Sequence, residues 1–226
     1  MKKSPRKKVL LSWSSGKDSA WALHILQESN EVELIGLITT FNEQFNRVAM
    51  HAVRQELVRQ QAAAAELELF EVYIPWPCSN DDYEKAMSAA FINARDEYGV
   101  RHIAFGDLYL EDIRAYRERL LVSLDLEPLF PIWGIPTDKL AKDMIDSGLK
   151  AKITCLDPKK LSKDFAGRTF DKEFLDDLPE CIDPCGEEGE FHTFTYSGPM
   201  FKNDIAVETG EVVTRDGFIF ADLLPV

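Results

Sequence analysis

Val9-Leu10-Leu11-Ser12-Trp13-Ser14-Ser15-Gly16-Lys17-Asp18-Ser19 is an apolar run that breaks into small polar residues, and Ala20 to Leu26 follows at once with Ala22, Ile25 and Leu26 at helical spacing. The order is strand, loop, helix. Small residues in such a loop let several backbone N–H groups converge on one anion. The following helix adds the positive end of its dipole, and Lys17 supplies a point charge. We read the loop as a place for polyphosphate, with Ser12, Ser14, Ser15, Gly16, Lys17, Asp18 and Ser19 around it. It is not a Walker A loop, which requires Gly five residues before the Gly-Lys pair, where Leu11 stands, and Ser or Thr after the lysine, where Asp18 stands.

Outward from this loop, the chain has 226 residues, of which 45% are apolar and 29% charged, enough for a full core in one large domain or in one domain with a smaller appendage. Its formal net charge of -13 disfavours long contacts with tRNA or DNA, and Arg114, Arg117 and Arg119 form the one internal basic strip. Met1 to Lys8 reads as a disordered basic tail. The apolar stretch behind it stops at Leu11, short of the roughly 7 to 15 apolar residues of an export signal. No segment reads as a membrane span. Cys78, Cys155, Cys181 and Cys185 are too few and too irregular for a disulfide framework, so a reducing cytoplasm is expected.

Short apolar runs then alternate with helical patterns, the signature of an α/β domain with a parallel, Rossmann-like sheet. Leu34 to Ile38 reads as a strand ending in Thr39-Thr40, Ala49 to Leu67 as a long helix, and Phe70 to Ile74 as a strand. Tyr83, Ala86, Met87, Ala90, Phe91 and Ala94 mark an amphipathic helix, His102 to Phe105 a strand ending in Gly106-Asp107, and Ile113, Tyr116, Leu120 and Leu124 a further helix. Open sheets of this kind bind ligands beyond their strands' carboxyl ends, so Ser12 to Ser19, Thr39-Thr40 and Gly106-Asp107 are expected to converge. Beyond about residue 130 the texture changes to a smaller mixed α+β domain, giving an expected division into tail 1–8, a first domain 9–130 and a second 131–226. There Thr137 to Ser147 reads as a helix capped by Thr137 and ended by Gly148. Ala151 to Leu156 reads as a strand, and Thr209-Gly210 and Asp216-Gly217 as hairpin turns. The final strands read as core or as the edge of a homodimer.

A second cluster lies in Asp183-Pro184-Cys185-Gly186-Glu187-Glu188-Gly189-Glu190-Phe191-His192-Thr193, which joins three glutamates, a thiol, an imidazole and two glycines. Glycines permit tight turns where backbone approaches a ligand, and the carboxylates suit Mg²⁺, an amine or general-base work. The competing reading is an acidic turn facing water. His24 and His102 sit in apolar patterns and read as core histidines, whereas His51 lies where a nucleotide could reach it. Cys181 and Cys185 are separated by three residues, unlike the two usual in zinc or redox pairs.

Ser14 to Ser19 resembles the pyrophosphate loop (PP-loop) Ser-Gly-Gly-x-Asp-Ser of the ATP pyrophosphatases in the adenine-nucleotide alpha-hydrolase superfamily, with Ser15 in place of glycine. If that position requires positive φ, serine there costs roughly 1 kcal/mol. Gly186 to Thr193 resembles the Gly-Glu-x-Gly-Glu-aromatic-x-Thr signature of the diphthine-ammonia ligase family. Phe105-Gly106-Asp107, Glu111-Asp112-Ile113-Arg114 and Pro131-Ile132-Trp133 resemble its middle region. His192 departs from the acidic residue expected in ligases that act on elongation factor 2, as in a subgroup with another substrate.

The resemblance implies a PP-loop domain with a family-specific C-terminal domain, ATP and Mg²⁺ as cofactors, and adenylation of a carboxylate followed by transfer of ammonia. The acceptor is a small molecule or a protein. It implies that Lys17 and the loop hold the phosphates and that Asp18 holds Mg²⁺ or fixes the loop. Thr39, Thr40 and His51 would lie near the nucleoside, with Gly106 and Asp107 near the phosphates. Glu187, Glu190 and His192 would act on the acceptor or ammonia, and Cys185, Gly186, Glu188, Gly189 and Thr193 would line the acceptor site. A tRNA-modifying thiolase with Cys185 carrying sulfur, and an ATP-sensing module without chemistry, are the alternatives.

Overall fold

The computed structural model describes residues 5–44, 47–48 and 53–226. The first half runs β1 (Lys7–Ser12), α1 (Lys17–Glu28), β2 (Val32–Asn42), β3 (Arg47–Val48), α2 (Gln55–Ala64), β4 (Glu68–Ile74), α3 (Asn80–Tyr98), β5 (His102–Ala104), α4 (Glu111–Ser123) and β6 (Glu127–Leu129). Its sheet is parallel in the order β4-β2-β1-β5-β6, and the short β3 lies antiparallel on the end of β2. The chain builds from β1 toward β4 on one side and places β5 and β6 on the other. Strand order therefore reverses between β1 and β5, and a crevice opens beyond their carboxyl ends.

Burial on both faces explains the unbroken apolar run of β1. Val9 and Leu11 pack in a cluster with Leu23 of α1 and Leu57 and Val58 of α2. Leu10 belongs to a second cluster with Met87, Phe91 and Ala94 of α3 and Leu120 and Leu121 of α4. The expected helix faces of α3 and α4 are thus the ones that meet the sheet, whereas Ile25 of α1 is 37% exposed and Leu23 takes the core position.

The second half runs α5 (Thr137–Asp146), β7 (Lys150–Leu156), a 3₁₀ turn at Lys163–Phe165, β8 (Thr169–Phe170), α6 (Lys172–Asp177), β9 (Phe191–Ser197), β10 (Val207–Arg215) and β11 (Phe218–Pro225). These strands form an antiparallel sheet around β7. Its inner face shares one apolar cluster with the first half, where Trp13, Phe170, Phe174, Phe191, Phe194 and Phe201 meet. No helix among the described residues is long and apolar enough to cross a membrane.

Four local expectations are corrected. Helix α2 starts at Gln55, after Arg54, rather than near Ala49; residues 49–52, His51 among them, lie outside the described residues. Thr137 is the first helical residue of α5 and caps nothing, because Pro136 holds the cap position. Thr209-Gly210 forms a bulge inside β10, where the register against β11 shifts between Thr209 and Val212, and only Asp216-Gly217 makes the hairpin turn. That turn has φ of 51° and 84°, as a two-residue hairpin requires. Lys7 and Lys8 are part of β1 rather than of a tail.

Ser15 adopts φ +72°, is fully buried (0% exposed), and its Oγ has no hydrogen-bond partner. Ser15→Gly removes the Cβ penalty and the orphaned hydroxyl while adding chain entropy to the unfolded state. We expect a net stabilisation of about 1 kcal/mol, read as a higher urea midpoint. A lower midpoint would show instead that the Ser15 side chain holds the loop.

Candidate active site

A cavity of about 250 Å³ occupies the crevice. Ser12, Ser14, Gly16, Lys17, Asp18 and Ser19 line it from the β1–α1 loop, and Phe105, Gly106 and Asp107 from the end of β5. Arg117 of α4 forms one wall; Gly186, Glu187, Phe191, His192 and Thr193 close it from the second half. Both motif clusters of the sequence therefore meet in one space. Close approach makes this possible at Gly106, where a Cβ would stand 2.8 Å from the Ser19 nitrogen and 2.9 Å from the Asp18 carbonyl carbon.

The loop is fixed mostly from outside itself. Helix α1 has Gly16 at its cap and so no capping side chain, which leaves first-turn N–H groups to find other partners. Thr193 of β9 provides one, its Oγ1 accepting from the Lys17 backbone N–H at 3.0 Å, while Ser14 Oγ accepts from Gly16 N–H at 3.3 Å. The Ser15 carbonyl accepts from Thr195 N–H at 2.9 Å and from Gln61 Nε2 at 3.0 Å. Gln61 is fully buried, also donates to the Thr195 carbonyl at 2.6 Å, and accepts from Trp13 Nε1 at 2.9 Å. It binds α2, the loop and β9 into one unit.

Lys17 is 1% exposed and lies against the Phe170 and Phe191 rings, 5.5 and 5.3 Å from their centroids. Its ammonium donates to both Asp18 oxygens, at 3.1 and 2.9 Å, and to the Cys185 carbonyl. Burial opposes its charge, but the Asp18 carboxylate outweighs this and holds the pKa above the ordinary lysine value. The ammonium is thus held between one carboxylate and one backbone carbonyl.

Glu187 accepts from the Leu108 backbone N–H at 2.8 Å. Burial, reinforced by the nearby Asp18 and Asp107 charges, pushes its carboxyl up to about 7. His192 is neutral at physiological pH, because burial and the positive Lys17 push it down to about 4. Asp107 meets Arg117 at 3.5 Å, and burial raises its pKa despite that cation. The turns that present Glu187 depend on Gly186 and Gly189, at φ of 68° and 80°.

Several expected site residues stand away from the cavity. Thr39 is buried within β2 and Thr40 half-buried beside it, and neither lines the space. Glu190 is 3% exposed and does not line the cavity, one oxygen 3.5 Å from the Asp183 nitrogen and the other unpartnered. Glu188 is exposed, its carbonyl accepting from Lys160 Nζ at 2.7 Å. Cys185 is buried, donates from Sγ to the Thr137 carbonyl at 3.4 Å, and burial pushes its thiol up. The arginines form no strip: Arg114 lies over the Phe130 and Trp133 rings at 5.0 and 4.8 Å, Arg117 turns into the cavity, and Arg119 is exposed. Arg117 was named only as part of a basic strip and Phe105 only at a strand end, neither as a cavity residue, and Gln61 was not singled out from the sequence. Only Arg117 carried a usable signal, as a cation on the helix that follows Gly106-Asp107.

The opposed shifts of Glu187 and His192 give a pH test. Folded Glu187 keeps a proton that the unfolded chain has lost between its ordinary 4.5 and about 7, so its contribution to stability falls as pH rises there. Folded His192 lacks a proton that the unfolded chain holds between about 4 and 6.5, so its contribution rises with pH. Between pH 5 and 6 the two largely cancel. Relative to wild type, Glu187→Gln is expected to gain an upward slope of unfolding free energy approaching roughly 1 kcal/mol per pH unit, and His192→Asn a downward one of similar size. Urea titrations at pH 5, 5.5 and 6 read both slopes, and equal slopes in all three proteins would contradict the assignments.

A family model described as the diphthamide synthase N-terminal domain matches residues 7–127, and one described as the diphthamide synthase C-terminal domain matches residues 136–220. The chain is similar to the diphthine–ammonia ligase of Homo sapiens, with 29% identity over 75% of this chain and 64% of the relative. For the Bos taurus ligase the identity is 30% over 64% of this chain and 55% of the relative, and for that of Rattus norvegicus 25% over 92% and 85%. The chain thus spans less than two thirds of the human and bovine relatives that it matches. With matches across both halves, and with the phosphate loop and the Gly186–Thr193 turn in one cavity, the chain belongs to the diphthamide synthase family.

Proposed function

We propose that the protein is an ATP-dependent amide ligase that adenylates a carboxylate and transfers ammonia to it. The observation that carries this reading is a single cavity in which a phosphate loop from one half faces Glu187 from the other. The similar proteins are named diphthine–ammonia ligases, which points to the same class of reaction. On this reading residues 9–130 bind ATP and residues 131–226 carry the acceptor part.

A carboxylate resists attack by ammonia because oxide cannot leave. Its oxygen instead attacks the α-phosphorus of ATP, pyrophosphate departs, and an acyl-adenylate forms. Ammonia then adds to the carbonyl, AMP leaves with the C–O electron pair, and one N–H proton must be removed. Glu187, with its carboxyl near 7, takes that proton at neutral pH. His192 remains neutral beside it and orients rather than protonates. Glu190, buried away from the cavity, positions Asp183 instead of touching the acceptor. Backbone donors of the loop steady the departing pyrophosphate.

Among the described residues no three carboxylate, imidazole or thiol groups cluster closely enough to hold a metal alone. Mg²⁺ ordinarily uses one or two carboxylates plus substrate phosphates, and Asp18, which lines the cavity, fits that need. When bound, the ion neutralises charge on the phosphates. Cys185, buried and protonated, gives a thiolase reading no support.

Phosphorus NMR of the protein with Mg-ATP, ammonium and a dialysable cell extract tests the reading. AMP and pyrophosphate are expected in equal amounts, dependent on extract and reduced at least tenfold in Glu187→Gln. ADP with phosphate, or intact ATP with both small-molecule and protein fractions as acceptor, would refute it.

A further inference from the structure

Among the described residues that line the cavity, Lys17 and Arg117 are the permanent cations, and they differ in what their donors do. Lys17 is already paired, with the Asp18 carboxylate and the Cys185 carbonyl. Arg117 is paired less closely. Its Nε lies 3.5 Å from Asp107 Oδ2, close enough for ionic attraction but without hydrogen-bond alignment, so that both atoms are shut off from solvent and neither has a hydrogen-bond partner. Arg117 lines the cavity while its Nε is sealed against Asp107, so the other N–H groups of the guanidinium are the donors that a ligand there can reach. The guanidinium is held 4.6 Å over the Phe105 ring, and both residues line the cavity. A planar fork of N–H donors matches two oxygens of one phosphate, which a lysine point charge does not.

We propose that Arg117, and not Lys17, is the side chain that binds the pyrophosphate portion of the nucleotide, and that Asp107 is a carboxylate placeholder which occupies Arg117 until the anion displaces it. The proposal rests on the nucleotide-binding reading of this cavity. Lys17 is then the residue that ties the loop to the second half, and phosphate recognition is divided between loop N–H groups and a guanidinium from α4. Asp107 serves as a brake, because its negative charge competes with the incoming anion for the same donor.

Calorimetric titration of the full chain with inorganic pyrophosphate, ATP and AMP, without magnesium, tests this in wild type, Arg117→Gln, Arg117→Lys and Asp107→Asn. Arg117→Gln is expected to weaken pyrophosphate and ATP at least tenfold while changing AMP less than twofold, with Arg117→Lys in between. Asp107→Asn is expected to tighten pyrophosphate threefold or more, a gain that a folding defect cannot produce. Wild-type affinity for pyrophosphate in Arg117→Gln, or weakening in Asp107→Asn, would overturn the proposal while leaving the nucleotide reading intact. Failure of the wild type to bind either ATP or pyrophosphate would overturn both.

Discussion

The arrangement depends on one backbone atom, the Ser15 carbonyl oxygen, which accepts hydrogen bonds from Gln61 of α2 and from Thr195 of β9 at once. A phosphate loop must keep its N–H groups pointed inward, so its carbonyls point outward and need partners elsewhere. Here one partner comes from α2 and the other from the second half of the chain. The same strand offers Thr193 Oγ1 to the Lys17 N–H, two residues along. In β9 alternate residues share a face, so Thr193 and Thr195 approach the loop together. The positive φ of Ser15 follows from this demand, since only that turn brings its carbonyl outward while Gly16 opens the helix.

Docking the two halves through a shared apolar cluster makes the electrostatics of the cavity possible. The chain carries a net charge of -13, in conflict with the polyphosphate that the proposed reading puts in its crevice. Lys17 resolves part of this conflict by neutralising Asp18 internally, under the Phe170 and Phe191 rings. The remaining carboxylates, Asp107 and Glu187, are raised by burial and so are more readily protonated than free side chains. Of these, Glu187, with its carboxyl near 7, is partly protonated at neutral pH, which lessens the repulsion of an anion.

Much of the architecture was legible in the sequence because hydrophobic periodicity reports local burial. The alternation of short apolar runs with helical patterns gave the parallel sheet, and Gly106 and Gly186 marked places where backbones touch. The failures have equally local causes. Thr209-Gly210 carries the residues of a turn, but pairing along β11 absorbs the extra residue as a bulge. Glu190 belongs to the same motif as Glu187, yet three residues along the turn its side chain is buried away from the cavity. Lys17 lines the cavity as its spacing in the loop suggested, while its contact with the Cys185 carbonyl, distant in sequence, had no signal. Gln61 gave no signal, since a glutamine in an alanine-rich helix looks like a solvated residue until its three partners are in place.

The most direct test of the account is the ATP affinity of Gln61→Leu, measured where the variant remains folded. Leucine would leave the buried Trp13 N–H and the Thr195 carbonyl without this partner, costing roughly 3 kcal/mol of stability, and would release the loop from α2 although no atom of Gln61 lines the cavity. The account predicts ATP binding weakened at least tenfold in folded protein. Wild-type affinity in the folded variant would contradict it, because the loop would then hold its shape without the partners that bind it to the rest of the chain.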